Sequence, residues 1–275
     1  DVYKRQVFGD YSLLQYINRT STPVGKQHLA DWFNAHLELK ESIEQRQEAI
    51  RELSTDLEYR QQIRLFGLLY KGKPADINEI REWAGSPSYY RKHTLLRIIP
   101  TVVSIINLIC IGSAIVGILP ATVPGGVFFC FVIFSSIFSK GITKLQATYG
   151  KKLQILSTYA DQILLTEKKE MNSPVLQQLK TELTSQNQTA SQAVRQLSKL
   201  MNALDQRSNL LMSTILNGLI FWELRQVMRI EKWKETHASD LPRWIETIGE
   251  IDAYCSLATF TYNHPDYICL LYTSP

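Results

Sequence analysis

Apolar side chains recur every three or four residues along most of this 275-residue chain, except at its centre, where they become continuous. The recurring stretches predict amphipathic helices. "TPVGKQHLADWFNAH" opens with Thr22 as N-cap and Pro23 at the first helical position, and Leu29, Trp32, Phe33 and His36 share a face. One helical segment is predicted from Leu39 to Tyr70, with Ile43, Ile50, Leu53, Leu57 and Ile63 at helical spacing. "KGKP" breaks it, and Asp76 with Glu79 predicts a capping box restarting a helix that Gly85, Ser86 and Pro87 end. After the centre, Ile142, Leu145, Tyr149, Leu156, Tyr159 and Ile163 approximate a heptad seam, with Lys152 off pattern. Further helices are predicted over "AVRQLSKLMNALDQRSN", "LLMSTILNGLIFWELRQVMRIEKWKE" and "LPRWIETIGEIDAYCSLATFTY". The uncharged run from Ser208 to Trp222 is short for a bilayer and reads as a buried core helix. No strand alternation, repeat or low-complexity tract appears. The fold class is all-α.

The centre is different in kind. From Ile98 to Ser139 there is no Asp, Glu, Lys, Arg or His, and a bilayer core needs about 20 apolar residues per helix. "LPATVPGG" supplies turn chemistry in the middle, so two transmembrane arms are predicted, Ile98–Leu119 and Val123–Ser139. Arg91, Lys92 and Arg97 precede this hairpin, Lys140 and Lys144 follow it, and the connecting turn has no cation. That charge pattern puts both flanking halves on the cytoplasmic side of the inner membrane, with the basic residues near anionic headgroups. Asn107 and the pair Ser135 and Ser136 fall at similar distances from the turn, which predicts an Asn107–Ser135 or Asn107–Ser136 hydrogen bond. Ser113 and Gly117 form a small-xxx-small pair. The competing reading is a hairpin buried inside a soluble helical domain.

Composition adds limits. A net charge of +4 is too mild to argue for nucleic acid. The four cysteines have no metal-ligand spacing and suggest no disulfide framework, and the histidines form no H-x-x-x-H. No nucleophile elbow or G-x-x-x-x-G-K-[ST] occurs, so no catalytic, cofactor-binding or metal-binding residue is assigned.

Two stretches carry a family resemblance. "FGDYSLLQYINRTSTPVGKQHLADWFNAHLELKESIEQRQEAIRELS" resembles the start of the helical core, or lever, domain of the DNA mismatch-repair MutS family, through Asn18, Arg19, Thr20, Thr22, Gly25, Arg46 and Gln47. "IGEIDAYCSLATFTY" resembles the closing helix of that domain, with Glu250 and Asp252 in register. The resemblance implies long helices coupling an ATPase to a DNA clamp. It also implies ATP and Mg²⁺ for the parent protein, a homodimer formed through the ATPase domain, and DNA as partner. Here the apolar hairpin occupies the clamp's position, so the chain resembles a membrane-anchored subfamily with lipid as a partner. The implied domains are residues 7–97 and 140–268 for the helical core, with 98–139 as the membrane hairpin.

Arg19, Thr20 and Thr22 are read first as capping and packing residues, and second as contacts to a neighbouring ATPase domain. Glu250 and Asp252, two positions apart on a helix, do not face each other and form no catalytic pair. The end stretches "DVYKRQ" and "CLLYTSP" resemble translated sequencing-adapter read-through, so residues 1–6 and 269–275 are expected to be artefact flanking a segment of a longer protein. The alternative to a lever is a membrane-tethered helical scaffold with no nucleotide or DNA role.

Overall fold

The computed structural model describes residues 6–69, 74–184, 189–205 and 210–266. The end stretches read as artefact, apart from Gln6, lie outside the described residues. The structure is all-α, and an isolated Thr184–Thr189 bridge is the sole β pairing among the described residues. Twelve helices are named here: α1 (Leu13–Ile17), α2 (Pro23–Asn34), α3 (Lys40–Thr55), α4 (Leu57–Leu68), α5 (Pro74–Gly85), α6 (Thr94–Ile115), α7 (Thr122–Lys168), α8 (Pro174–Glu182), α9 (Ala190–Asp205), α10 (Leu210–Ile220), α11 (Trp222–His237) and α12 (Leu241–Asn263).

The chain divides into two compact units. The first comprises residues 1–76, 157–194 and 240–275; the second comprises 77–156 and 195–239.

In the first unit, α12 is the central helix and packs against α1, α2, α3, α4 and α8. Its buried residues include Trp244, Ile248, Ile251, Ala253, Tyr254 and Cys255, so more than one face is covered. Gly249 is what lets α2 come so close: a Cβ there would sit 2.4 Å from Val24. The segment predicted as one helix up to Tyr70 is two. Asp56 leaves the helical region (φ −104°, ψ 83°) and its side chain accepts from the Tyr59 N–H, capping α4. The buried Arg60 guanidinium then turns back to the Leu53 and Ser54 carbonyls and satisfies the end of α3. Glu52 does the same for α8, accepting from the backbone N–H groups of Asn172 and Ser173.

In the second unit, α10 and α11 pack on α6. "LLMSTILNGLIFWELRQVMRIEKWKE", predicted as one helix, breaks at Phe221, which adopts a left-handed conformation (φ 53°, ψ 50°) while 1% exposed. Phe131, Phe134 and Phe138 surround its ring, and this packing holds a backbone state that a phenylalanine rarely adopts.

Three further expectations need correction. α5 begins at Pro74, so Asp76 is inside the helix, not its N-cap. Proline needs no N–H partner at a first helical position, which favours the earlier start. The hairpin turn is made by Gly117 (φ +82°), whereas Pro124, Gly125 and Gly126 lie inside the first turns of α7. The Ile118 N–H reaches the Ser113 carbonyl (2.9 Å) and the Gly117 N–H reaches Ala114 (3.1 Å), a Schellman ending. Gly117 is thus a cap, not half of a packing pair with Ser113. Of the expected seam, Ile142, Leu156, Tyr159 and Ile163 are buried. The side chains of Leu145, Tyr149 and Lys152 lie outside the described residues.

Candidate functional site

In the first unit the motif residues converge on one buried carboxylate. Asp252 is 2% exposed on α12. It accepts from the Ser21 N–H (2.9 Å), the Thr22 N–H (2.8 Å), the Thr22 hydroxyl (2.8 Å) and the Ser21 hydroxyl (3.1 Å). Thr22 is the N-cap of α2, and its Oγ1 also accepts from the Gly25 N–H at 3.0 Å. A Cβ on Gly25 would lie 2.4 Å from Asp252 Oδ2, so only glycine leaves room for the carboxylate. Burial pushes the Asp252 carboxyl up to about 6 against the pull of these hydrogen bonds. The same burial pushes the neighbouring Cys255 thiol up.

Asn18 and Arg19 complete the junction. Asn18 Oδ1 accepts from the Thr20 N–H and hydroxyl, and Asn18 ends α1. The Arg19 N–H donates to Ser256 Oγ (2.7 Å), whose hydroxyl donates to the Ile17 carbonyl. The Arg19 guanidinium returns to the carbonyls of Tyr16 and Asn18. Arg46 lies 4.3 Å from the Trp32 ring centroid, and Trp32 packs on Tyr254. Gln47 accepts from Arg51 on the same helix. Glu250 is half-buried beside His28, Glu182 and Glu246, and burial raises its carboxyl. Glu250 and Asp252 therefore belong to separate environments. The arrangement ties α1–α2 to α12; it offers no nucleophile–base pair. Ser256 is among the residues that carry the closing-helix resemblance, whereas Ser21 was not singled out from sequence, because a serine in a loop gives no periodic signal.

The second unit holds the apolar hairpin. Thr94–Ile115 and Thr122–Ser139 are long and apolar enough to cross a membrane, with mean hydropathies of 2.2 and 1.8; only Pro100, Val103 and Asn107 of the first are buried, and no residue of the second. The described residues do not enclose either arm of the hairpin. At its base, the buried Glu231 accepts from three successive backbone N–H groups, Tyr89 (2.8 Å), Tyr90 (3.1 Å) and Arg91 (2.7 Å). Arg91 is paired through Nε with Glu235 at 2.8 Å, so it is not simply a headgroup-facing cation. Lys92 and Arg97 are exposed. The side chains of Lys140 and Lys144 lie outside the described residues. Glu231 was legible in principle: it lies on one helical stripe with Leu224 and Val227, an acid in line with apolar residues.

The expected bond between Asn107 and Ser135 or Ser136 does not form. Both serines donate to their own helix, at the Val132 and Ile133 carbonyls. The Asn107 amide donates to the Gly218 and Leu219 carbonyls of α10, each at 3.0 Å. The end of a helix offers two unpaired carbonyls, a better match for an NH₂ group than a hydroxyl that can close onto its own backbone. Asn107→Leu is expected to destabilise the α6–α10 contact by about 1–2 kcal/mol, read as a lower melting temperature in detergent. An unchanged melting temperature would show that the amide is dispensable.

Among the described residues no group of three His, Cys, Asp or Glu side chains could hold a metal ion. No curated protein and no solved structure matches the chain. The family model for MutS domain III matches residues 3–258, a span that contains the Asp252 junction and the apolar hairpin. The chain therefore belongs to the MutS domain III family.

Proposed function

We propose that this chain is the lever region of a membrane-anchored MutS-like ATPase, coupling an ATPase domain elsewhere in a longer protein to a membrane hairpin. One observation carries the reading: within a single match to MutS domain III lie two membrane-length helices whose apolar faces are bare. Exposed Leu95, Leu108, Ile109, Ile115, Phe129 and Ile133 would cost hydrophobic free energy in water, about 25 cal/mol for each Å² of apolar surface, and nothing in lipid. Exposed Lys92 and Arg97, with Tyr89 beside them, suit the headgroup layer. In this reading both flanking halves face the cytoplasm at the inner membrane.

The sequence offers no glycine-rich phosphate loop, so ATP and Mg²⁺, together with homodimer formation, are placed in the ATPase domain. Mismatched DNA is the substrate that the family suggests; lipid is the partner that the hairpin favours.

The test is fractionation of the intact protein. It is expected to stay in the pellet through alkaline carbonate and to leave only with detergent. Recovery in the carbonate supernatant would overturn the membrane reading. A Walker A motif is expected within about a hundred residues beyond Ile268 in the unbroken reading frame. Its absence would favour a tethered scaffold. Duplex affinity falling steeply with salt would add a DNA role.

A further inference from the structure

We infer that α10 (Leu210–Ile220) is a third lipid-embedded helix, too short to span, whose outer face contacts acyl chains. This rests on the membrane reading of the hairpin and adds to it. The first observation is the sense of its amphipathicity. Leu211 is 77% exposed and Ile215 47%, with Met212 beside them, whereas Asn217 is 8% exposed and turned inward. Ser213, half-buried, donates inward to the buried Glu223 carboxylate (3.1 Å), and Asn217 Oδ1 accepts from the Glu223 N–H (3.0 Å). A helix on a water-soluble surface turns its polar residues out and its apolar residues in. Here Ser213 and Asn217 turn in while Leu211 and Ile215 turn out, with Thr214 the one exposed polar residue of the helix, an order that suits lipid better than water.

The second observation is the helix end. In water the last carbonyls of a helix are met by solvent or by a side chain, as Arg60 meets those of α3. In hydrocarbon each must find a protein donor. Asn217 O accepts from the Phe221 N–H (3.2 Å), Gly218 O and Leu219 O from the Asn107 amide, and Ile220 O from Arg225 Nε (2.8 Å). All four are satisfied. One of the donors lies thirteen residues into α6, about 20 Å along that arm, a depth that water does not reach if the arm spans. Eleven residues extend about 16 Å, roughly half of the hydrocarbon thickness. Gly218 seats α10 against the hairpin's second arm, since a Cβ there would lie 2.3 Å from the Phe128 ring.

The experiment uses the full-length protein in phosphatidylcholine–phosphatidylglycerol vesicles, with its native cysteines replaced and a nitroxide placed singly at Leu211, Ile215, Ile109 or Ile133. At Leu211 and Ile215, collision with oxygen is expected to exceed collision with a water-soluble nickel chelate. If nickel dominates at these two sites while oxygen dominates at Ile109 and Ile133, this inference falls and the hairpin reading stands. If nickel dominates at all four, both fall. If neither reagent reaches Leu211 and Ile215, a protein surface covers α10, and the inference also falls. On the unsubstituted protein, a lipid-restricted carbene reagent is expected to label the Leu210–Ile220 peptide. Labelling confined to residues 98–139 would overturn the inference without any substitution.

Discussion

Asp252→Ala is expected to destabilise the first unit by about 3–5 kcal/mol, seen as loss of amide protection across α2 and α12 in hydrogen exchange. The reason is what stays behind. The N–H groups of Ser21 and Thr22 point at the carboxylate, and with alanine they remain buried with no acceptor. Asp252→Asn keeps the shape and one carbonyl oxygen and should cost less. A loss below about 1 kcal/mol in the alanine variant would show that the junction does not hold α2 on α12.

The same carboxyl predicts a pH dependence. Its folded-state value is about 6 against an ordinary 3.8, so the folded chain holds a proton that the unfolded chain has released. A neutral Asp252 is accommodated, because the Ser21 hydroxyl can turn to accept from Oδ1. The stability from this group is fully present below about pH 4 and is lost as pH rises through about 6. The gap corresponds to roughly 3 kcal/mol. The difference in stability between wild type and Asp252→Asn should therefore narrow between pH 4 and pH 7. A difference that stays constant or widens would contradict the raised value.

Glu231→Ala is the second large effect, expected at about 3 kcal/mol in the second unit. Three consecutive backbone N–H groups before α6 lose a charged acceptor at once. The Arg91–Glu235 pair is partly exposed and adds little by itself. Exchange should quicken at Tyr89–Arg91 and in the first turn of α6 while α12 stays protected. Glu231→Gln, with one carbonyl oxygen left to accept, should fall between the two. Unchanged exchange at Tyr89–Arg91 in the alanine variant would remove Glu231 as the anchor of the hairpin base.

Local rules were enough for much of this structure. Thr22 and Pro23 mark the start of α2 because capping chemistry involves only neighbouring residues. The continuous apolar centre marks two membrane-length helices because length and lack of charge are properties of the chain itself. The motif residues at both ends of the chain pointed to the family that the match over residues 3–258 shows. Local rules failed where a distant side chain supplied the partner. Asn107 was legible as a buried amide needing an acceptor, but the choice between a serine hydroxyl and the end of α10 depends on how α10 packs. Asp56 and Phe221 break helices that the apolar period carries straight through. At Phe221 an aromatic cluster from α7 holds the strained backbone, and no neighbour in sequence announces it.

What the sequence by itself determined is the helical class, the uncharged hairpin and the motifs that place the chain in its family, since each depends on residue type and spacing. What only the tertiary structure decided is where the buried polar groups find partners: Asp252 with Ser21 and Thr22, Glu231 with the backbone before α6, Asn107 with the end of α10. Hydrogen bonds are short-ranged and directional. A residue's need for one is written in its chemistry, while the group that meets it is fixed only when helices more than a hundred residues apart come within 3 Å.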